Sequence, residues 1–144
     1  MDLSTLEPVE GTTIPVLHPV TKEPLKHDTG KKDDKGEPIF EPITIDIVGQ
    51  DSAQYRARSR FIQNSRLKTL RKGGDLVSEE TEIQDIGTVA ACITGWKNVE
   101  LDGKKLDFNK VNARALLTRL PWLREDIDRA IVDRTNFLKV SSTD

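Results

Sequence analysis

Apolar positions along this chain change period once, near residue 50. In "IFEPITIDIVG" they alternate, with Ile43, Ile45 and Ile47 on one side and Thr44, Asp46 and Val48 on the other. A period of two is the pattern of a half-buried strand. Upstream, "TTIPVLHPVTKEPL" is apolar enough to pair with it, but its prolines lack a ladder donor and confine it to an edge. Between them lies the turn-rich, mixed-charge stretch "KHDTGKKDDKGEP". Residues 13–50 are therefore expected to form a small antiparallel β unit with a mobile loop over 26–37. The chain ends, 1–12 and 139–144, are expected to be disordered tails.

From Asp51 the period becomes helical. Asp51 or Ser52 suits the cap of a first helix running to about Lys72, where Gly73-Gly74 ends it. A second helix is expected from Ser78, with Glu79, Glu80 and Glu82 at its positive end. At about 100° per residue, Ile83, Ile86, Val89, Ala90, Ile93 and Trp96 fall in one arc, which predicts one buried helical face. Asn109 suits the cap of a short third helix with Ala113, Leu116, Leu117 and Leu120 on one side. Pro121-Trp122 then opens a fourth helix to about Leu138, lined by Leu123, Ile127, Ala130, Ile131, Phe137 and Leu138. The fold class is α+β: an N-terminal β unit, then a helical domain over 51–138 of about four helices with a short hairpin insert.

That insert is "VELDGKKLDF", where Asp102-Gly103 is a type I′ turn signal. A two-stranded hairpin is marginal alone, so a large apolar residue must hold it down. Trp96, Leu106 and Phe108 can do so, and Trp122 stands on its far side in sequence. The corner is expected to be an architectural clamp between helices.

Composition narrows the function without naming it. The 144 residues suit one domain, with a formal net charge of −2 that argues against a protein built mainly to bind nucleic acid. No apolar run approaches the ~18 residues of a membrane span. "MDLSTLEPVEGTT" lacks the basic and apolar segments of a signal peptide, and the single cysteine, Cys92, fits a reducing compartment. A cytosolic domain is expected.

Catalytic chemistry is sparse. His18, His27 and Cys92 give no zinc-ligand spacing, and Asp28, Asp33 and Asp34 miss the EF-hand spacing. The chain carries no P-loop, dinucleotide fingerprint or nucleophile elbow. No enzyme, metal or cofactor is expected. The first helix holds Arg56, Arg58, Arg60, Arg66, Lys68, Arg71 and Lys72 with no acid among them, and projection scatters them around its circumference. Tyr55, Ile62 and Leu70 form a thin apolar ridge between. A solvated helix, or one gripped by an acidic partner, fits this better than one laid in a groove of DNA. Arg134 projects into the apolar arc of the last helix; it is expected to snorkel, or to pair with an acid such as Asp102 or Asp107 while closing the fold, in preference to anchoring an interface, so that Arg134→Ala destabilises the domain measurably.

The order of these features resembles one family. "LHPVTKEPL", then "ITIDIVGQDSAQYRARSR", then "AACITGWKNVELDGKKLDFNKVNARALLTRLPWLREDIDRAIVDRTNFL" is similar to the tail assembly chaperones of long-tailed bacteriophages, over roughly residues 15–138. The likeness falls on Gly95, Trp96, Leu101, Asp102, Gly103, Phe108, Asn112, Ala113, Leu116, Trp122, Asp133, Arg134, Asn136, Phe137 and Leu138. It rests on their collinear order, no single motif being specific. The resemblance implies a non-catalytic protein of the host cytoplasm that coats the tape measure protein, keeps it soluble and helps recruit tail tube subunits. Members of that family often have a longer frameshifted form and can oligomerise, so the resemblance implies both as partners; no membrane partner is expected, and nucleic acid is disfavoured by the net charge. Candidate partner-binding residues are Tyr55, Arg58, Ile62, Arg66 and Arg71 on the basic helix, with Trp96 and Phe108 at the hairpin. Gly95, Asp102, Gly103, Trp122, Arg134, Asn136 and Phe137 are expected to be structural. Two rivals remain open: a minor virion or head–tail joining protein, and a small nucleic-acid-binding regulator.

Overall fold

The computed structural model describes residues 2–74 and 78–138; the expected tail at 139–144 lies outside them. The chain is α+β. Strands β1 (Gly11–Pro15), β2 (Lys26–Lys32), β3 (Pro38–Pro42) and β4 (Thr44–Val48) precede helices α1 (Ala53–Arg71) and α2 (Ser78–Cys92). Then come β5 (Ile93–Lys97), the short pair β6 (Glu100–Leu101) and β7 (Lys104–Lys105), and helices α3 (Lys110–Arg119) and α4 (Pro121–Val132).

The alternating segment is the centre of the sheet. β4 pairs antiparallel with β1 on one side and β5 on the other, and Ile45 and Ile47 are completely buried. β1 takes the edge, as its prolines require. The core runs from these strands onto α2, α3 and α4 through Val89, Cys92, Ile93, Leu116, Leu117, Ile127 and Ile131. Helix α1 contributes no buried residue to it.

Four expectations are corrected. The stretch 26–37 is not a loop: most of it joins the β2–β3 ribbon, in which a bulge between Asp28 and Lys32 carries Gly30 at φ 78°. Asp33 Oδ1 accepts from the Lys35 and Glu37 amides and Gly36 takes φ 78°, so "DDKG" is turn chemistry closing a hairpin. The N-terminal 12 residues are not featureless either. Leu3–Leu6 form a 3-10 turn capped by Asp2, β1 begins at Gly11, and Pro8 bridges to Leu138.

Third, the apolar arc from Ile83 to Trp96 is not one helix face. Helix α2 stops at Cys92, and Ile93–Lys97 pass into the sheet as β5. β-branched Ile93 and Thr94 and then Gly95 propagate a helix poorly, while β4 offers them a free ladder. A bulge fits the new strand to β4, since Asp46 faces Gly95 and Ile47 faces Ile93. A Cβ at Gly95 would lie 3.1 Å from the Asp46 carboxylate, so glycine keeps this crossing open. The β unit and the helical domain are thus not successive parts, because β5 comes from inside the helical half. At the other end of the arc, Ile83 is 63% exposed.

Fourth, α4 ends at Val132 rather than near Leu138. Asp133 is extended and caps a 3-10 turn, Arg134–Phe137, by accepting from the Thr135 amide and hydroxyl. Asn136 Nδ2 donates to the Ala130 carbonyl, and the turn drops the buried Phe137 ring onto Gly49. The hairpin is as expected: Asp102 and Gly103 take φ 54° and 77°, the pair a type I′ turn needs.

Two outcomes follow. A Cβ at Gly49 would stand 2.8 Å from the Phe137 ring, so Gly49→Ala should cost about 1–3 kcal/mol of stability, read by urea unfolding. Burial pushes the Cys92 thiol up to about 11, whereas the unfolded thiol titrates near its ordinary value of 9. The neutral thiol therefore contributes stability that is complete below pH 9 and is lost as pH rises to about 11, with a ceiling of about 3 kcal/mol. Cys92→Ala should remove that part of the alkaline slope in a pH series of unfolding curves.

Candidate partner-binding surface

Helix α1 carries most of the candidates, and its start is well defined. Ser52, not Asp51, is the cap: its hydroxyl accepts from the Tyr55 amide. Asp51 instead holds Arg134, with Nε and Nη2 at 3.0 and 3.1 Å from its two carboxylate oxygens. This corrects the expected partner of Arg134. The hydrogen bonds of this pair lower the Asp51 pKa and raise that of Arg134. Asp102, the partner expected for Arg134, is held bidentately by Arg119 at 2.6 and 2.8 Å, which ties the hairpin turn to the end of α3.

The sequence projection scatters the α1 cations, and the fold sorts them into three groups. Arg56, Arg60, Lys68 and Arg71 point to solvent, together with the exposed Leu67 and Leu70. None of them lies at ion-pair distance from a carboxylate among the described residues. Arg66 turns toward α4, where a groove of about 460 Å³ between α1, α2 and α4 also takes Tyr55, Ile62, Asp85, Arg124 and Asp128. Burial, then the nearby Asp85 carboxylate, raises the Asp128 pKa; burial, then Asp128, raises that of Tyr55. Arg124 is 3.9 Å from Glu82.

Arg58 goes the other way. It lies against α2 at Gly87, where a Cβ would stand 2.3 Å from its Nη2. Its guanidinium sits 5.0 Å from the centre of the Phe61 ring, and Nη2 reaches the Gln84 carbonyl at 3.5 Å. Nothing in the periodicity of α1 points to this seat, although a glycine inside an otherwise regular helix, at a cost of about 1 kcal/mol, is the available signal.

Trp96 and Phe108 are not part of the α1 surface. Their rings meet edge to face at 5.1 Å, and Trp96 Nε1 donates to the Leu106 carbonyl at 2.8 Å. They clamp the hairpin to β5. Lys110 stands 5.6 Å over the Phe108 ring and donates to the Ala90, Ala91 and Ile93 carbonyls, the closest at 2.7 Å. Trp122 packs against the core from the start of α4. Gly95, Asp102, Gly103, Asn136 and Phe137 are all engaged in the local geometry described above.

Among the described residues no cluster of three or more histidine, cysteine or acidic side chains could hold a metal, and no helix is long and apolar enough to cross a membrane. Comparison with known proteins finds no matching family model, no matching curated protein and no matching solved structure.

Arg134 is largely exposed, at 66% of its side chain, and its pair with Asp51 is open to water and salt. The expectation of a measurable loss is revised accordingly. Arg134→Ala should leave the thermal midpoint nearly unchanged at 0.5 M NaCl, with any deficit confined to low salt, as differential scanning calorimetry would show.

Proposed function

We propose that this chain is a non-catalytic assembly chaperone of a bacteriophage tail, acting in the host cytoplasm. It binds the tape measure protein, keeps that long helical client soluble and releases it to tail tube subunits. The observation that carries this reading is α1. At 19 residues, about 28 Å long, it buries no residue in the core and packs only the half-buried Tyr55 against it. Among the described residues Arg56, Arg60, Lys68 and Arg71 have no ion-pair partner, and Phe61, Leu67 and Leu70 are exposed. Such a surface suits weak, fast, salt-sensitive contacts with an amphipathic partner helix. The collinear order of the "GW" corner, the "LDG" hairpin and "DRTNFL" supports the same family. The longer frameshifted form and self-association belong to this proposal as well.

The test is co-expression with the tape measure protein encoded in the same genome. The expected outcome is a soluble client that co-purifies with this chain and dissociates with rising salt. An insoluble client with no complex, together with this chain in purified virions by mass spectrometry, would favour a minor virion component instead.

A further inference from the structure

The β2–β3 ribbon has no cover of its own. Every residue of β3 is exposed, Ile39 by 39% and Phe40 by 52%, and neither packs against the core. A two-stranded ribbon is marginal in water, and an uncovered phenyl ring adds nothing to hold it together. Its root is fixed all the same. The Leu25 amide donates to the Val16 carbonyl at 2.8 Å, the Ile43 amide to the Leu25 carbonyl at 3.1 Å, and Asn98 Nδ2 to the Pro42 carbonyl at 2.9 Å. Beyond that root the ribbon is an exposed arm. Directly opposite Phe40 in the ladder stands Asp28, on the same face. One Asp28 oxygen accepts from the Gly30 amide at 2.9 Å, and no cation among the described residues pairs with the carboxylate.

The same chain carries an uncovered apolar groove. About 340 Å³ of open space lies between β1 and α4, walled by Ile14, Val16, Leu17, Leu123, Ile127 and Ala130. An apolar cavity of about 150 Å³ is enough to take a benzene ring. On the rim, Asp126 and Arg129 pair with each other, while Lys22 has no acidic partner among the described residues. Leu17 also bridges to Pro24 at the root of the arm, so arm and groove share one corner of the fold. Phe40 nonetheless does not line the groove of its own chain.

We propose that this chain associates with a second copy of itself through an arm-in-groove contact. Phe40 of one copy enters the groove between β1 and α4 of the other, and Asp28 beside it pairs with Lys22 on the rim. Charge complementarity selects this occupant: the one chain presents an uncovered ring with a carboxylate next to it and an uncovered apolar groove with an unpaired ammonium next to it. A single aromatic anchor and one rim ion pair suit a weak, concentration-dependent contact rather than an obligate dimer. The contact supplies surfaces for the self-association within the chaperone reading, and rests on that reading only for its use in assembly.

Sedimentation velocity of the full chain, from micromolar to submillimolar concentration, is the test. The expected result is reversible self-association, weakened about 30-fold by Phe40→Ser, the fold-change of losing one aromatic anchor. The thermal midpoint of that variant should match wild type, because Phe40 touches no part of the core. Ala130→Trp should fill the groove and abolish association. Lys22→Glu, which sets like charges together, should weaken it about tenfold and carries the groove test if the tryptophan variant fails to fold. Phe40→Ser mixed with a groove variant leaves one intact arm and one intact groove, so the mixture should form a 1:1 complex that neither forms alone. A wild type monomeric throughout, Phe40-dependent association that both groove variants leave untouched, or a mixture with no complex would each overturn the contact. Loss of client solubilisation in Lys22→Glu with self-association intact would give the groove to the client and overturn it as well. A client solubilised by a monomeric wild type would overturn the contact and leave the chaperone reading standing. Arm-dependent self-association with an insoluble client would support the contact and remove that reading.

Discussion

The ammonium of Lys110 gathers three carbonyls, from Ala90, Ala91 and Ile93, at the point where α2 becomes β5. A helix end leaves its last carbonyls without amide partners, and here the end abuts Cys92 and Ile93, both completely buried. Water cannot serve those carbonyls well, and a lysine from the start of α3 does. Desolvation lowers the Lys110 pKa, the expected cost of seating a cation there. Once α2 is stopped, Ile93 is free to pair beside Ile47, the third strand completes the sheet, and Trp96 reaches the hairpin. The same lysine stands over Phe108, which meets Trp96 edge to face. One side chain thus joins helix end, strand start and hairpin clamp.

This arrangement explains what was legible in the sequence and what was not. Local signals were read correctly: the alternation in β4, the Ser52 and Asn109 caps, the Asp102-Gly103 turn and the Pro121 helix start. Each depends on a few neighbouring residues. The misreadings arise where a local pattern met a distant partner or where a short local turn device was overlooked. The arc from Ile83 to Trp96 has a valid helical period, yet β4 takes its last five residues because an unpaired central-strand edge is worth more than another helical turn. The turn-rich stretch between Lys26 and Pro38 lacked apolar content, but Asx turns and two positive-φ glycines suffice to fold it back on itself. Arg134 seemed to enter an apolar arc only because α4 was drawn too long; after Asp133 breaks the helix, it faces Asp51.

The candidate site was half legible. That α1 is basic and poor in core residues could be read from its sequence. How its cations divide could not, because the division is set by what stands opposite. Arg66 lines a groove that also holds Asp85, Arg124, Glu125 and Asp128. Arg58 lies instead against the backbone of α2 at Gly87. Helical projection treats the two alike, although they lie only about 80° apart on the helix. Among the aromatic residues, Trp96 and Phe108 pack on each other and the hairpin, whereas Phe61, which the sequence reading did not single out, is 57% exposed.

A chaperone reading asks for a surface that binds without holding. Strong, dry interfaces bury aromatic anchors in fitted pockets, and none of the exposed apolar side chains on α1 stands in one. Screened charges around isolated apolar residues give fast association and modest residence instead. Such a surface also tolerates a client that presents the same chemistry repeatedly along its length, since no single register is demanded.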